Sequence, residues 1–322
     1  MNNTKIIIWT IVAIVLTMLL ICLLVSNARL GDIFSNESEH IVYEDEFDVT
    51  NIKNINLDWS SGSINIYKND SDKIRVIQKS RYELKEDELV NIDYKNETIS
   101  VQEGKKKIGF FFLGFGSIST NLDVYLPDKE FEEVYVKISS GRANIENLKL
   151  NKFNVKVSSG KIEIRKVVSQ DIEANVSSGS IEMNDVKTSS LNSEVTSGKI
   201  EINNLNTNIL NASVKSGKID IDGSAKQMDL KATSGKILVD NNILPESLDV
   251  KVTSGSIDVA IPENEGFEAS YSVTSGSFKS DFDLYSNMSN LDKKSGEGKY
   301  KNGGNKFNFQ VTSGKIMLEK NK

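Results

Sequence analysis

FNVKVSSGKIEI, residues 153–164, decides how the rest of the chain reads. Phe153, Val155 and Val157 alternate with polar residues, a Ser-Ser-Gly turn follows, and Ile162 and Ile164 resume the alternation. Period-two alternation marks a strand with one buried and one wet face, so this stretch is two short strands joined at a glycine corner. The template recurs as VYVKISSGRANI, IEANVSSGSIEM, LNSEVTSGKIEI, LNASVKSGKIDI, MDLKATSGKILV, LDVKVTSGSIDV, ASYSVTSGSFKS and FNFQVTSGKIML, with an early copy, INLDWSSGSINI. The turn glycines are Gly62, Gly141, Gly160, Gly179, Gly198, Gly217, Gly235, Gly255, Gly276 and Gly314. From Gly141 onward their spacings are 19, 19, 19, 19, 18, 20, 21 and 38 residues, the last being twice nineteen.

A further apolar residue often follows seven places after the glycine, as at Leu148, Val167, Val186 and Leu205, where it would fill the next corner. One such unit is too small to fold alone and gains its core only by stacking on its neighbours. Stacked in sequence order, the units predict an all-β, right-handed parallel β-solenoid with coils of about nineteen residues. Glycine at the fixed corner permits positive φ or close approach of adjacent coils.

Two segments break the repeat. Residues 63–140 keep strand character without the Ser-Gly turn and are expected to cap the first coil, hiding its open edge. Within them lies KKKIGFFFLGFGS, residues 105–117, the candidate contact loop: Lys105, Lys106, Lys107, Phe110, Phe111, Phe112 and Phe115. Aromatics beside a lysine triplet suit a membrane surface or a protein partner. The rarity of large exposed apolar patches favours a lid folded over the core instead. Residues 286–306, glycine- and lysine-rich and without period, are expected to be a mobile excursion before the last coil.

Ile6 to Val25 form an uncharged apolar run, long enough as a helix to span roughly 30 Å of hydrocarbon. Lys5 precedes it and the acidic residues Asp32, Glu37 and Glu39 follow Arg29, so the positive-inside rule predicts a cytoplasmic N-terminus and an extracellular remainder. A cleaved signal peptide ending near Ser26-Asn27-Ala28 competes, but its apolar core would be unusually long. Cys22 is the sole cysteine, follows Ile21 where a lipobox needs a small residue, and permits no internal disulfide. The expected organisation is a tail at 1–5, a transmembrane helix at 6–26, a linker at 27–44, a capping region with the first coil at 45–133 and repeats at 134–322.

From Leu30 onward, 37 Lys/Arg face all 45 Asp/Glu, a net of −8, which argues against nucleic acid as a partner while leaving room for a local basic stripe. Several spacings imitate active sites. Glu163, Glu182, Glu201 and Asp220 would stack about 4.8 Å apart, near the carboxylate separation of a retaining glycosidase, but the lattice imposes that spacing on any residue. Equivalent positions on one wet face do not split pKa values as an acid and a nucleophile require. Lys161, Lys199, Lys218 and Lys236 form a column beside them. Ser158-Ser159-Gly160-Lys161 reads S-x-x-K, yet spans a β-turn and not the helical turn that hydrolase signature needs. His40 is the only histidine, so His-based catalysis and His-cluster metal sites are not expected.

An apolar N-terminal segment followed by V-x-[V/I]-x-x-[ST]-S-G-x-I-x-[I/V] units, closing with VAIPENEGFEASYSVTSGSF and VTSGKIML, resembles the bacterial putative-adhesin family of β-strand repeats, domain of unknown function 4097, which includes LiaG-like proteins. The resemblance covers roughly residues 45–320. It implies an envelope-located β-solenoid and transfers no catalytic residue or cofactor. The expected function is a non-enzymatic envelope binding module, held in the membrane by its helix and contacting a cell-wall polymer or an envelope protein. The alternatives are an accessory regulator of an envelope-stress sensor and a polysaccharide-acting enzyme on a β-helix scaffold.

Overall fold

The computed structural model describes residue 9 and residues 12–18, 38–105, 119–285 and 294–321. In chain order the strands are β1 (His40–Asp48), β2 (Asn54–Lys68), β3 (Lys73–Ser80), β4 (Asn91–Lys95), β5 (Thr98–Gln102) and β6 (Asn121–Leu126). They continue with β7 (Glu133–Glu146), β8 (Lys149–Asn241), β9 (Ser247–Ile261), β10 (Gly266–Ser280), β11 (Ser295–Lys301) and β12 (Asn305–Lys320). The chain is all-β, and the repeat copies lie parallel and in register. Val134, Val136 and Ile138 of β7 sit over Phe153, Val155 and Val157 of β8, Gly141 over Gly160, and Ala143 and Ile145 over Ile162 and Ile164. All the apolar members of these pairs are buried, so every layer adds to one continuous core.

The glycine column explains why the corner tolerates nothing else. The ten glycines named above have φ between 116° and 147°. A Cβ built on Gly198 would lie 1.7 Å from the carbonyl oxygen of Gly179 in the layer beneath. Two further corners complete these layers, the first beside the buried Leu148, Val167, Val186 and Leu205 as expected. Six residues after the glycine the backbone turns through a left-handed position at Asn147, Lys166, Asp185 and Asn204, with φ of 52–58°. Asparagine and aspartate tolerate that conformation better than most residues. Nine residues after the glycine a buried hydroxyl bonds backbone: Ser169 Oγ reaches the carbonyls of Asn151 and Asp171 at 2.8 and 3.0 Å, and Thr188 and Thr207 repeat the arrangement one and two layers on.

The ends correct several expectations. Stacking does not follow sequence order at the C-terminus: β12 lies between β9 and β10, parallel to both, with Gly314 in register with Gly255 on one side and Gly276 on the other. Every copy carries the same register, so the last copy fits any open edge equally well, and β10 is the edge it covers. The excursion at 286–306 contains β11, which pairs antiparallel with Gly266–Ser272 of β10. Tyr300 of that strand is buried against Phe267 and Phe282, and residues 286–293 of the excursion lie outside the described residues. The linker at 27–44 already includes the start of β1. The sheet is therefore mixed, because antiparallel strands close both ends of the parallel stack: β4 on β5, β3 on β6, β1 on β3, and β11 on β10. Among the described residues no helix is long and apolar enough to cross a membrane. Trp9 and residues 12–18 are helical, and the rest of the run at 6–26 lies outside the described residues.

Candidate functional site

β5 and β6 together make a split layer over β2. Asn54–Asp58 pair with Thr98–Gln102, and Ile64–Lys68 pair with Leu122–Leu126, both parallel. In an ordinary layer a Ser-Gly turn joins these two halves; here the chain leaves at Glu103 and returns at Thr120. Both feet are tied down. Glu103 N donates to Asp58 O at 3.2 Å, Lys105 N donates to Asp87 O at 2.7 Å, and Glu103 Oε2 accepts from Ser60 N at 2.9 Å. On the return side, buried Trp59 donates from Nε1 to Thr120 O at 2.8 Å, and Asn121 Oδ1 accepts from Ser63 N at 2.8 Å. Thr120 O takes the place that a stacked glycine carbonyl holds elsewhere, 2.0 Å from where a Cβ of Gly62 would stand. The candidate loop is thus an insertion at the glycine corner of a terminal layer. Lys105 is described; Lys106, Lys107, Phe110, Phe111, Phe112 and Phe115 lie outside the described residues.

The predicted lysine and acid columns are brought together. Lys161 Nζ contacts Glu163 and lies 2.5 Å from Glu182, while Lys199 Nζ lies 3.1 Å from Glu182 and 2.7 Å from Glu201. Lys218 pairs with Asp220, and Lys236 reaches Asp258 of β9 at 2.8 Å. Burial pushes the Glu182 carboxyl up, but hydrogen bonds and charge from Lys161 and Lys199 outweigh it and hold the group below its ordinary value. Glu163 is lowered in the same way, with burial opposed chiefly by Lys161. The two stacked carboxylates move in one direction, the opposite of an acid and nucleophile pair. Toward the N-terminus the same column becomes an amide ladder: Asn144 donates to Asn65 Oδ1 and Asn65 to Asp123 Oδ1, each at 2.6 Å. The S-x-x-K lysine, Lys161, belongs to the ion-pair column. Among the described residues no group of three or more His, Cys, Asp or Glu is placed to hold a metal ion.

The second corner falls beside Leu148, Val167, Val186 and Leu205, buried where the sequence placed a corner, but its left-handed Asn/Asp position and the Ser/Thr of the third corner carry no dipeptide like the one that makes the glycine corner visible. The sequence also did not show that Thr120 completes the glycine column, because a carbonyl leaves no trace in a side-chain pattern.

Comparison with known proteins agrees with this geometry. Among solved structures the chain is similar to a "putative adhesin" from Parabacteroides distasonis, with 14% identity, a TM-score of 0.53, and coverage of 89% of this chain and 98% of that one. It is also similar to a "putative lipid binding protein" from the same organism, with 14% identity, a TM-score of 0.50 and the same coverage. At such identity the likeness shows the fold alone. No curated protein matches the sequence. The family match extends over residues 52–319, from the foot of β2 to the last strand. With that span taking in the early copy, the split layer and every later repeat, the chain belongs to the Toastrack DUF4097 family.

Proposed function

We propose that the chain is a non-enzymatic binding module of the bacterial cell envelope. Its layers form a right-handed parallel β-solenoid held outside the membrane by a helix at 6–26, with the N-terminus in the cytoplasm. The observation that carries the reading is the split layer. A stack of identical turns is interrupted once by an aromatic- and lysine-rich insertion, and both feet of that insertion are fixed by hydrogen bonds at the N-terminal end of the stack. That is the end from which the chain runs toward the apolar segment. An insertion rooted on a rigid stack can meet a membrane surface, a wall polymer or an envelope protein without disturbing the core. Among the neighbours, the words adhesin and lipid binding describe those proteins and fit a binding role here.

The test replaces Phe111, Phe112 and Phe115 together by Ser. A contact loop predicts weaker attachment of the protein to envelope fractions with the melting temperature unchanged. A lid predicts the reverse, because losing buried phenylalanine costs about 3–5 kcal/mol per site. Protease added to intact, wall-stripped cells is expected to digest the repeats; digestion only after lysis would reverse the topology.

A further inference from the structure

A second surface feature lies at the left-handed corner, away from the insertion. Layers from β6 through the first turn of β8 enclose a hollow of about 360 Å³, floored by Leu126, Phe131, Leu148 and Leu150. It exists because the connection from β6 to β7 departs from the repeat at Pro127, so the regular corner is missing from one layer. Lys68, Lys129, Lys149 and Lys166 ring it, and Asp128 is the carboxylate in its lining. The chain as a whole carries −6, so four ammonium groups around one carboxylate is a local reversal of sign.

The four lysines differ in what occupies them. Lys68 Nζ pairs with Asp128 at 2.8 Å. Lys129 Nζ donates to the carbonyls of Val49 and Ile52 at 2.6 and 2.9 Å. Lys149 and Lys166 form no ion pair among the described residues, although the charge of Lys149, after that of Lys68, helps hold the Asp128 carboxyl below its ordinary value. Lys166 holds the left-handed corner with φ of 52°, where neighbouring layers place Asn147, Asp185 and Asn204. The backbone there favours asparagine, so the corner's geometry does not call for a lysine. An adjoining hollow shares Lys68, Pro127, Asp128 and Lys129 but is lined by Asp70 and Asp72, which confines an anion to the side of Lys149 and Lys166.

We propose that this hollow binds a phosphate group, held by the Lys149 and Lys166 ammonium groups beside Asn147. Lysine is a point-charge binder of phosphate, and two ammonium groups lining one concave site suit a tetrahedral anion. Either a soluble glycerol phosphate or the headgroup of an anionic phospholipid supplies that chemistry. The site does not depend on the loop at 105–117 and can fail or stand without it.

The test uses the full chain in neutral detergent micelles, titrated calorimetrically with glycerol phosphate and, separately, with dihexanoyl phosphatidylglycerol. The variant is Lys149→Gln with Lys166→Asn, the latter restoring the residue that other layers use. Lys187→Gln is the control, since Lys187 is exposed and holds the place of Lys149 two layers on. Wild type and control are expected to bind at least one probe with an affinity that falls as salt rises, and the double variant to bind about tenfold or more weakly at an unchanged melting temperature. Saturation by glycerol phosphate would place recognition in the free phosphate group; binding of the short-chain lipid alone would place it in the lipid headgroup. No binding of either probe, or equal affinity in the double variant and wild type, overturns the proposal.

Discussion

The middle of the stack and its C-terminal end are built from the same repeat by different rules. In the middle, β7, β8 and β9 stack consecutive copies, and each glycine rests on the one before it in sequence. At the end, β12 enters between two earlier copies, β11 closes half of β10, and Phe267, Phe282, Tyr300 and Phe307 form an aromatic cluster over the last layers. A repeat specifies how a layer meets its neighbour, and termination of the stack needs residues that depart from the repeat.

The largest test of this contrast is Val195→Asp, which buries an unpaired charge at a position with no exposure, between Val176 and Val214 of the flanking layers. It is expected to destabilise by more than about 4 kcal/mol in denaturant unfolding. A loss no larger than that of an outward change would mean the register is wrong.

Phe309→Ala removes a fully buried ring from the intercalated strand and is expected to cost about 3–5 kcal/mol. Hydrogen exchange should rise in β9, β10 and β12 while the middle of β8 stays protected, because a one-dimensional stack opens from its ends. An even rise throughout would abolish the distinction between end and middle.

Gly198→Ala in the middle forces Cβ into a backbone carbonyl and is expected to cost about 2–4 kcal/mol, from overpacking plus positive φ. Gly304→Ala, in the connection before β12, meets nothing within 4 Å and bears only the conformational strain, about 1 kcal/mol. Paired melting curves compare the two.

A smaller effect separates the end by pH. Glu263, in the β9–β10 connection, is hydrogen-bonded to Lys301, Lys320 and Tyr300 and lowered from 4.5 to about 2. A depressed carboxyl stabilises the fold above its unfolded value and loses that contribution as pH falls toward about 2. Glu263→Gln should therefore lower the melting temperature at neutral pH, and the gap to wild type should close between about 4.5 and about 2. A gap independent of pH would show that the ion pairs with β11 and β12 do not hold the end. The least effect is expected for exposed Glu194→Lys, within about 0.5 kcal/mol. Lys199→Gln, which loses two partly exposed ion pairs without setting a third carboxylate against Glu182 and Glu201, should exceed it yet stay below about 1 kcal/mol.

The residues themselves determined the layer. Period-two alternation about Gly160 and its equivalents placed Phe153, Val155, Val157, Ile162 and Ile164 inside and their neighbours outside, because a strand has only two faces and water selects between them. The glycine column followed from a recurring dipeptide, and its positive φ and backbone contacts are as that turn requires. The tertiary structure alone decided which layer meets which: β12 between β9 and β10, β5 and β6 as halves of one layer, and antiparallel closure at both ends. The ion pairing of the lysine and acid columns and the hollow around Lys149 and Lys166 were settled at the same level. The physical reason is shared. Alternation and corners act within one repeat, where the sequence is dense with signal, whereas pairing between repeats is degenerate, since every copy offers the same edge in the same register. Only the assembled stack, through the edges left open and the aromatic side chains available to close them, selects one order.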